Sequence, residues 1–357
     1  MEIPIKNLYF LLCYAWDRLE ERDLVDVSSE DASSLLNLFS RVLTGGSLYL
    51  LHRGLDRGYL AIEEDLAGIR GKIDFSTTMK RQLIRNAKLN CQFDELSHDV
   101  VHNRILKTTV ARLASSSDVD KTYRSDLADI HRRMSNIKET HLRADLFARV
   151  QLHRNNALYG FLMNVCEMVY NYYLASQREG DASFRDFFRD EDKMAIVFEN
   201  FVCNFLRTEL QGKYPGYRVK GAEYIDWDAQ AMGSKAAALL PKMKTDISMV
   251  TPNGYLIIDT KYYRNAFTGQ FNDKLHSSNL YQLFSYLRNT AAKGPEYENC
   301  GGMLLYPTVQ KELCLRYEIQ GHRVAVNTID LSMDWRKIHD SLIGMVLAFG
   351  DFDCEAA

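Results

Sequence analysis

Along much of the chain, apolar residues recur every three or four positions. The clearest case is 191–211, where Met194, Val197, Phe198, Phe201, Val202 and Phe205 fall on one stripe and predict a helix. Similar stripes predict helices over 5–20, 32–52, 99–115, 121–137, an aromatic-rich 155–176, 277–292 and 333–349. Residues 58–75, GYLAIEEDLAGIRGKIDF, break into short apolar runs around glycines and predict short strands joined by turns. Further strands are expected near 217–225, 244–250, 255–261, 302–306 and 323–330. The segment 177–190, QREGDASFRDFFRD, is polar and carries Gly and Ser, so a domain boundary is placed there. This gives a mixed helix and strand domain over 1–180 and a second domain over 181–357. Helix, three strands, helix and further strands make the second an α/β domain with a central mixed sheet, in a chain that is α+β as a whole.

Composition narrows the class. With 357 residues, 46% hydrophobic and 25% charged, the chain can build two cores and is too apolar for disorder. A net charge of −3 means that any nucleic-acid surface must be local. The seven cysteines are scattered with no CxxC pair, which points to reduced thiols in a cytoplasmic protein, not a disulfide framework or zinc site. His98 and His102 are four apart, but HDVVH lacks the Glu of a zincin helix, so both are read as helix-surface histidines. The apolar start KNLYFLLCYAWDRL is short and interrupted by Asp17 and Arg18. It reads as a packed helix, and no membrane association is expected.

The candidate chemistry lies in KTDISMVTPNGYLIIDTK, residues 244–261. Asn253-Gly254 signals a hairpin between two strands. A two-residue loop sets Asp246 opposite Lys261, and a four-residue loop sets it opposite Asp259. In both registers Asp246, Asp259 and Lys261 share one face, while Ile247, Met249, Leu256 and Ile258 share the other, ready to pack on a helix. Crowded carboxylates repel, and a divalent cation relieves the repulsion. Mg2+ suits hard oxygen ligands with open positions, and it can activate water and stabilise charge on a phosphate. Lys261 would orient water or neutralise developing charge. An Asp–Lys pair on a solvated edge strand accounts for the same residues. On the helix HSSNLYQLFSYLRN, Leu280, Leu283, Phe284 and Leu287 form the core stripe, and Gln282 and Tyr286 sit four apart on a neighbouring face.

Asp246, twelve further residues and then Asp259-Thr-Lys261 resemble the PD-(D/E)xK nuclease signature, and Gln282-Leu-Phe-Ser-Tyr286 resembles the QxxxY motif of its RecB-like branch. With YFLLCYAW, GIRGKIDF, LLPKMKTDI, IIDTKYY and HSSNLYQLFSYL, the chain resembles the McrC family, the nuclease subunits of McrBC modification-dependent restriction systems. The resemblance implies a restriction-endonuclease-like domain that cuts double-stranded methylated DNA with Mg2+. The activity would require an McrB-like AAA+ GTPase ring, which binds the GTP and is stimulated in turn. It further implies that Asp246 and Asp259 are metal ligands, that Lys261 is the catalytic lysine, and that Glu199 of VFENFV is a further ligand or its neighbour. A Glu exposed on an amphipathic helix fits Glu199 equally well. Thr245 precedes the first acid where the signature has proline. A chain that only activates its partner's GTPase, with a structural acid cluster, is the alternative.

The amino-terminal half shows no nucleotide site. GIRGK (68–72) misses the GxxxxGK[ST] spacing, and Ile73 stands where Ser or Thr is needed. Residues 70–88 hold Arg70, Lys72, Lys80, Arg81, Arg85 and Lys88 against Asp74 alone, a local charge of about +5. These six residues can contact a partner or DNA phosphates, or simply form a solvated face. From the family resemblance, a projection that enters the partner's pore is expected within 55–95.

Overall fold

The computed structural model describes residues 3–16, 35–152, 156–171, 191–230, 232, 234–262, 267–268, 274–308 and 312–349. The chain divides into two compact units, Asp23–Phe184 and a second made of Met1–Arg22 with Arg185–Ala357. No helix among the described residues is long and apolar enough to cross a membrane.

The chain opens with α1 (Ile5–Ala15). The unit Asp23–Phe184 then runs α2 (Leu35–Arg53), β1 (Gly58–Leu66), β2 (Lys72–Ile73), α3 (Phe75–Lys80), β3 (Leu89–Ser97), α4 (Val101–Ala114), α5 (Lys121–Arg133), α6 (Ala144–Ala148) and α7 (Ala157–Val169). Leu38, Leu43, Ile105, Val110, Leu127 and Leu162 are fully buried within this helical body. Residues 58–75 are not a set of short strands. β1 is one nine-residue strand paired antiparallel with β3, from Gly58↔Ser97 to Leu66↔Leu89. The alternation Leu89, Cys91, Phe93 marks β3, which sequence analysis did not assign. The loop between the strands folds back as β2, α3 and a tight turn over 83–86. Asp74 caps α3 by accepting from Thr77 N at 3.0 Å. Gly71 has φ +68°, and a Cβ there would stand 2.3 Å from Gln92 O, so no side chain fits.

His102 is not a surface histidine. It is buried on α4, 3.1 Å from Asp56 Oδ2, and packs edge-on against Tyr159 at 4.7 Å. Burial lowers its pKa, and Asp56 opposes the shift. Asp56 also accepts from Asn156 Nδ2 at 2.7 Å through its side chain and from Asn103 Nδ2 at 3.0 Å through its carbonyl. Its own N–H donates to Tyr159 Oη at 2.9 Å. This polar hub fixes the root of the β1–β3 hairpin to α4 and α7.

The second unit continues with α8 (Glu191–Glu209), β4 (Arg218–Gly221), β5 (Tyr224–Ile225), α9 (Ser234–Leu239), β6 (Met243–Lys244), β7 (Ile247–Thr251), β8 (Gly254–Thr260), β9 (Phe267–Thr268), β10 (Lys274–Leu275), α10 (Ser277–Ala291), β11 (Gly301–Thr308), β12 (Cys314–Ile319), β13 (His322–Asp330) and α11 (Trp335–Leu347). Six strands form a mixed sheet in the order β12-β13-β11-β8-β7-β4. β8, β11 and β13 run parallel, and the outer strands are antiparallel to their neighbours. A Cβ on Gly302 would meet Leu283 of α10, and one on Gly301 would meet Phe349, just past α11. Neighbours along a strand face opposite ways, so α10 and α11 cover opposite faces of the sheet. β12 was missed in sequence because its positions alternate only weakly in burial.

α1, expected in a domain over 1–180, belongs to this second unit. Its aromatic side chains explain why. Tyr14 lies 5.9 Å from Phe201 and 5.1 Å from Phe205 of α8, and Phe10 stacks on Trp335 at 4.8 Å. Tyr14 Oη donates to Glu209 at 2.8 Å, and Asn7 Nδ2 donates to Leu331 O at 2.8 Å.

Candidate active site

The β7–β8 hairpin closes at Thr251↔Gly254 around Pro252 and Asn253, and Gly254 has φ +128°. Its register, Ile247↔Ile258 through Thr251↔Gly254, extends to set Asp246 level with Asp259. This is the second of the two registers considered. β7 starts at Ile247, so Asp246 occupies the bend before it. Its Oδ2 accepts from Thr260 N at 2.8 Å and Thr260 Oγ1 at 3.0 Å. Those two bonds orient the first carboxylate.

Asp259 is fully buried. The face it shares with Tyr255 and Ile257 is covered by Leu283, Tyr286 and Leu287 of α10. Lys261 Nζ stands 2.7 Å from its Oδ2. Its Oδ1 accepts no hydrogen bond among the described residues. Burial pushes the Asp259 carboxyl up to about 7; Lys261 opposes the rise, and Asp246 and Glu199 add to it. Glu199, half-buried on α8, is raised by burial and then by Asp246, against the pull of Lys244 and Lys261. Asp246, Asp259, Lys261 and Glu199 thus lie within reach of one another's charge, although they come from three separate stretches of the chain. Asp259 and Glu199, raised by burial and by neighbouring carboxylates, make this cluster a functional-site candidate.

Tyr286 and Gln282 also meet this cluster. Gln282 Nε2 donates to Tyr286 Oη at 2.7 Å, and Tyr286 Oη donates to Lys244 O at 2.7 Å, two residues before Asp246. Burial raises the Tyr286 pKa, and the charges of Asp259 and Asp246 add to the effect. Tyr286 is therefore buried beneath the acids and grips their backbone, whereas Gln282 is exposed. Sequence analysis overlooked Thr260 and Lys244. Thr260 was visible as the middle residue of DTK, but nothing in the pattern brought Lys244 to Glu199.

Among the described residues, no three His, Cys, Asp or Glu side chains converge closely enough to hold a metal by themselves. Two carboxylates, one with an oxygen that has no donor in a buried setting, nevertheless fit an ion that takes few protein ligands and keeps open positions.

The six basic candidates lie in the other unit, all exposed at the end of the β1–β3 hairpin. Arg70 lies over the Phe93 ring at 3.9 Å, and Arg81 reaches Asp65 at 3.5 Å. The two long strands carry Glu63, Glu64, Asp65, Asp94 and Glu95 and no Lys or Arg, so an acidic stem bears a basic tip. Ile69, Phe75, Met79 and Ile84 are exposed among the basic residues. Gln82 and Ala87, both at φ 52°, bracket the 83–86 turn in a conformation that costs non-glycine residues energy.

The mixed sheet, with paired acids and a lysine at the end of a central strand, has the α/β architecture expected of a restriction-endonuclease-like domain. A family model described as "McrBC 5-methylcytosine restriction system component" matches residues 5–307. The chain is 33% identical over 342 residues to an Escherichia coli K12 protein titled "Type IV methyl-directed restriction enzyme EcoKMcrBC", covering 96% of each chain. Its fold is similar to a chain of the Thermococcus gammatolerans assembly of McrB AAA+ hexamers with bound McrC. That match has a TM-score of 0.58 at 16% identity, with 96% of this chain and 75% of that one covered. The chain belongs to the McrBC restriction-system family, and the resemblance to McrC drawn from its motifs is borne out.

Proposed function

We propose that this chain is the Mg2+-dependent endonuclease subunit of a methylcytosine-directed restriction complex, active in the cytoplasm with an AAA+ GTPase ring that binds the GTP. The observation that carries the reading is Asp259, a buried carboxylate with a lysine at 2.7 Å and an oxygen that lacks a donor. Asp246 and Asp259 would hold the metal, with Glu199 beside them. Bound there, Mg2+ would supply Lewis acidity for phosphodiester hydrolysis and offset phosphate charge. Thr260 holds the Asp246 carboxylate in place. Tyr286 fixes the backbone at Lys244. Lys261 sets a positive charge beside Asp259, where the phosphate would develop negative charge. Gln282, exposed one turn from Tyr286, would touch the DNA strand. The basic hairpin tip, carried on an acidic stem, is the element that would dock on the ring and stimulate it.

The test is a complex of this chain with its GTPase partner, given methylated plasmid, GTP and Mg2+. Asp259→Ala is expected to abolish double-strand breaks and leave GTPase stimulation unchanged. Equal cleavage by the wild type and Asp259→Ala would sink the assignment. It would leave the Asp259–Lys261 pair as a structural feature of a chain that only activates its partner.

A further inference from the structure

β5 and β6 pair antiparallel, and the chain between them forms an arm whose described residues, 226–230, 232 and 234–242, include α9. Its base is closed by Trp227 Nε1 donating to Pro241 O at 2.7 Å. Asp228 N donates to Asn289 Oδ1 on α10 at 2.6 Å, which ties the outgoing limb to the helix that bears Gln282 and Tyr286. At the root, Thr245 N donates to Glu223 O at 3.0 Å. The returning limb ends at Lys244, whose carbonyl Tyr286 holds and whose charge reaches Glu199. A nucleic acid lying on the acids therefore lies beside this arm.

The arm has an unusual surface. Leu239 is 72% exposed, Leu240 46% and Trp227 40%, and Tyr224 at its root and Tyr281 on α10 are also exposed. Soluble proteins normally scatter such side chains singly. Lys235, Lys242 and Lys244 are exposed along the same segment, and one of its two acids, Asp226, is already engaged by Lys242 at 3.1 Å. Apolar side chains set among lysines match a DNA duplex. The lysines meet phosphates, and the apolar groups press on sugars or wedge a base step in the minor groove.

We propose that the 226–242 arm clamps duplex DNA beside the cleaved bond, with Leu239 and Leu240 as the apolar wedge and Lys235, together with Lys244 at the arm's foot, as phosphate contacts. The inference rests on the nuclease reading but is tested separately from it. A benzophenone photo-cross-linker at position 239, in the full complex carrying Asp259→Ala, is expected to cross-link to DNA, less so as salt is raised. In otherwise wild-type complex, Leu239→Ala/Leu240→Ala is expected to slow cleavage about tenfold with GTPase stimulation unchanged. Cross-linking only to protein, whether the partner or a second copy of this chain, or to nothing, would overturn the clamp. So would unchanged cleavage by the double variant. Cross-linking to DNA at position 239 together with equal cleavage by the wild-type and Asp259→Ala complexes would instead count against the nuclease reading. Both leucines are exposed, so loss of the fold is not expected to mask the result.

Discussion

Replacing Asp259 by Asn should make the unit that carries Arg185–Ala357 more stable at pH 8 in the absence of divalent ions. The Asp259 carboxyl sits at about 7 in the fold against an ordinary value of 3.8. A carboxyl raised on folding favours the fold below its unfolded pKa, and that support is lost as pH rises through the folded value. The window is therefore about pH 4 to 7, and across it the wild type loses up to about 4 kcal/mol, with the attraction of Lys261 already included. An unpartnered buried amide takes back about 1–2 kcal/mol. The Asn variant should thus gain about 2 kcal/mol at pH 8 and lose about 1–2 kcal/mol near pH 4, where the wild-type carboxyl is neutral. Urea unfolding in EDTA, followed by tryptophan fluorescence, reads the right unit, because Trp16, Trp227 and Trp335 all belong to it. Mg2+ should then restabilise the wild type alone, by about 1.4 kcal/mol at ten times its Kd. An Asn variant less stable than wild type at pH 8, or a difference that does not change with pH, would refute the reasoning.

Tyr286→Phe removes the hydroxyl that grips Lys244 O. It should lower cleavage roughly tenfold while shifting stability by only about 1 kcal/mol and leaving GTPase stimulation intact. Asp56→Ala strips His102 and Asn156 of the carboxylate they share at the hairpin root. It should cost about 2–3 kcal/mol and weaken GTPase stimulation before it affects the acids' unit, as domain-resolved unfolding and GTPase assays would show. Reversing Arg81 and Arg85 to Glu should reduce stimulation or DNA binding and leave the tryptophan-reported unfolding unchanged. Normal GTPase and cleavage in that variant would remove the hairpin tip from the working surface.

The central strands and the acids were legible in sequence because they obey local rules. A buried parallel strand ending in Asp-Thr-Lys, a hairpin turn before it and the α8 stripe each announce themselves within a short window. The sequence left two registers for the hairpin, and packing selected the one that levels Asp246 with Asp259. What sequence analysis missed depends on distant contacts. α1 joins the second unit through Phe10 and Tyr14, whose partners lie about two hundred or more residues away. His102 reads as a surface residue until Asp56 and Tyr159 close over it. The reading of Asp259 and Lys261 as a pair on a solvated edge strand fails because β8 is a central strand and α10 covers the face that carries Asp259, whose burial is the largest cause of its raised pKa.

The most direct measurement is iron-directed scission of this chain. Fe2+ substituted for Mg2+, with ascorbate and peroxide, releases hydroxyl radicals that cut polypeptide near the bound ion. The account predicts breaks close to Asp246 and to Asp259–Lys261, suppressed by excess Mg2+ and absent from Asp259→Ala. Breaks confined to other segments, or an identical pattern in Asp259→Ala, would contradict a metal held by these carboxylates.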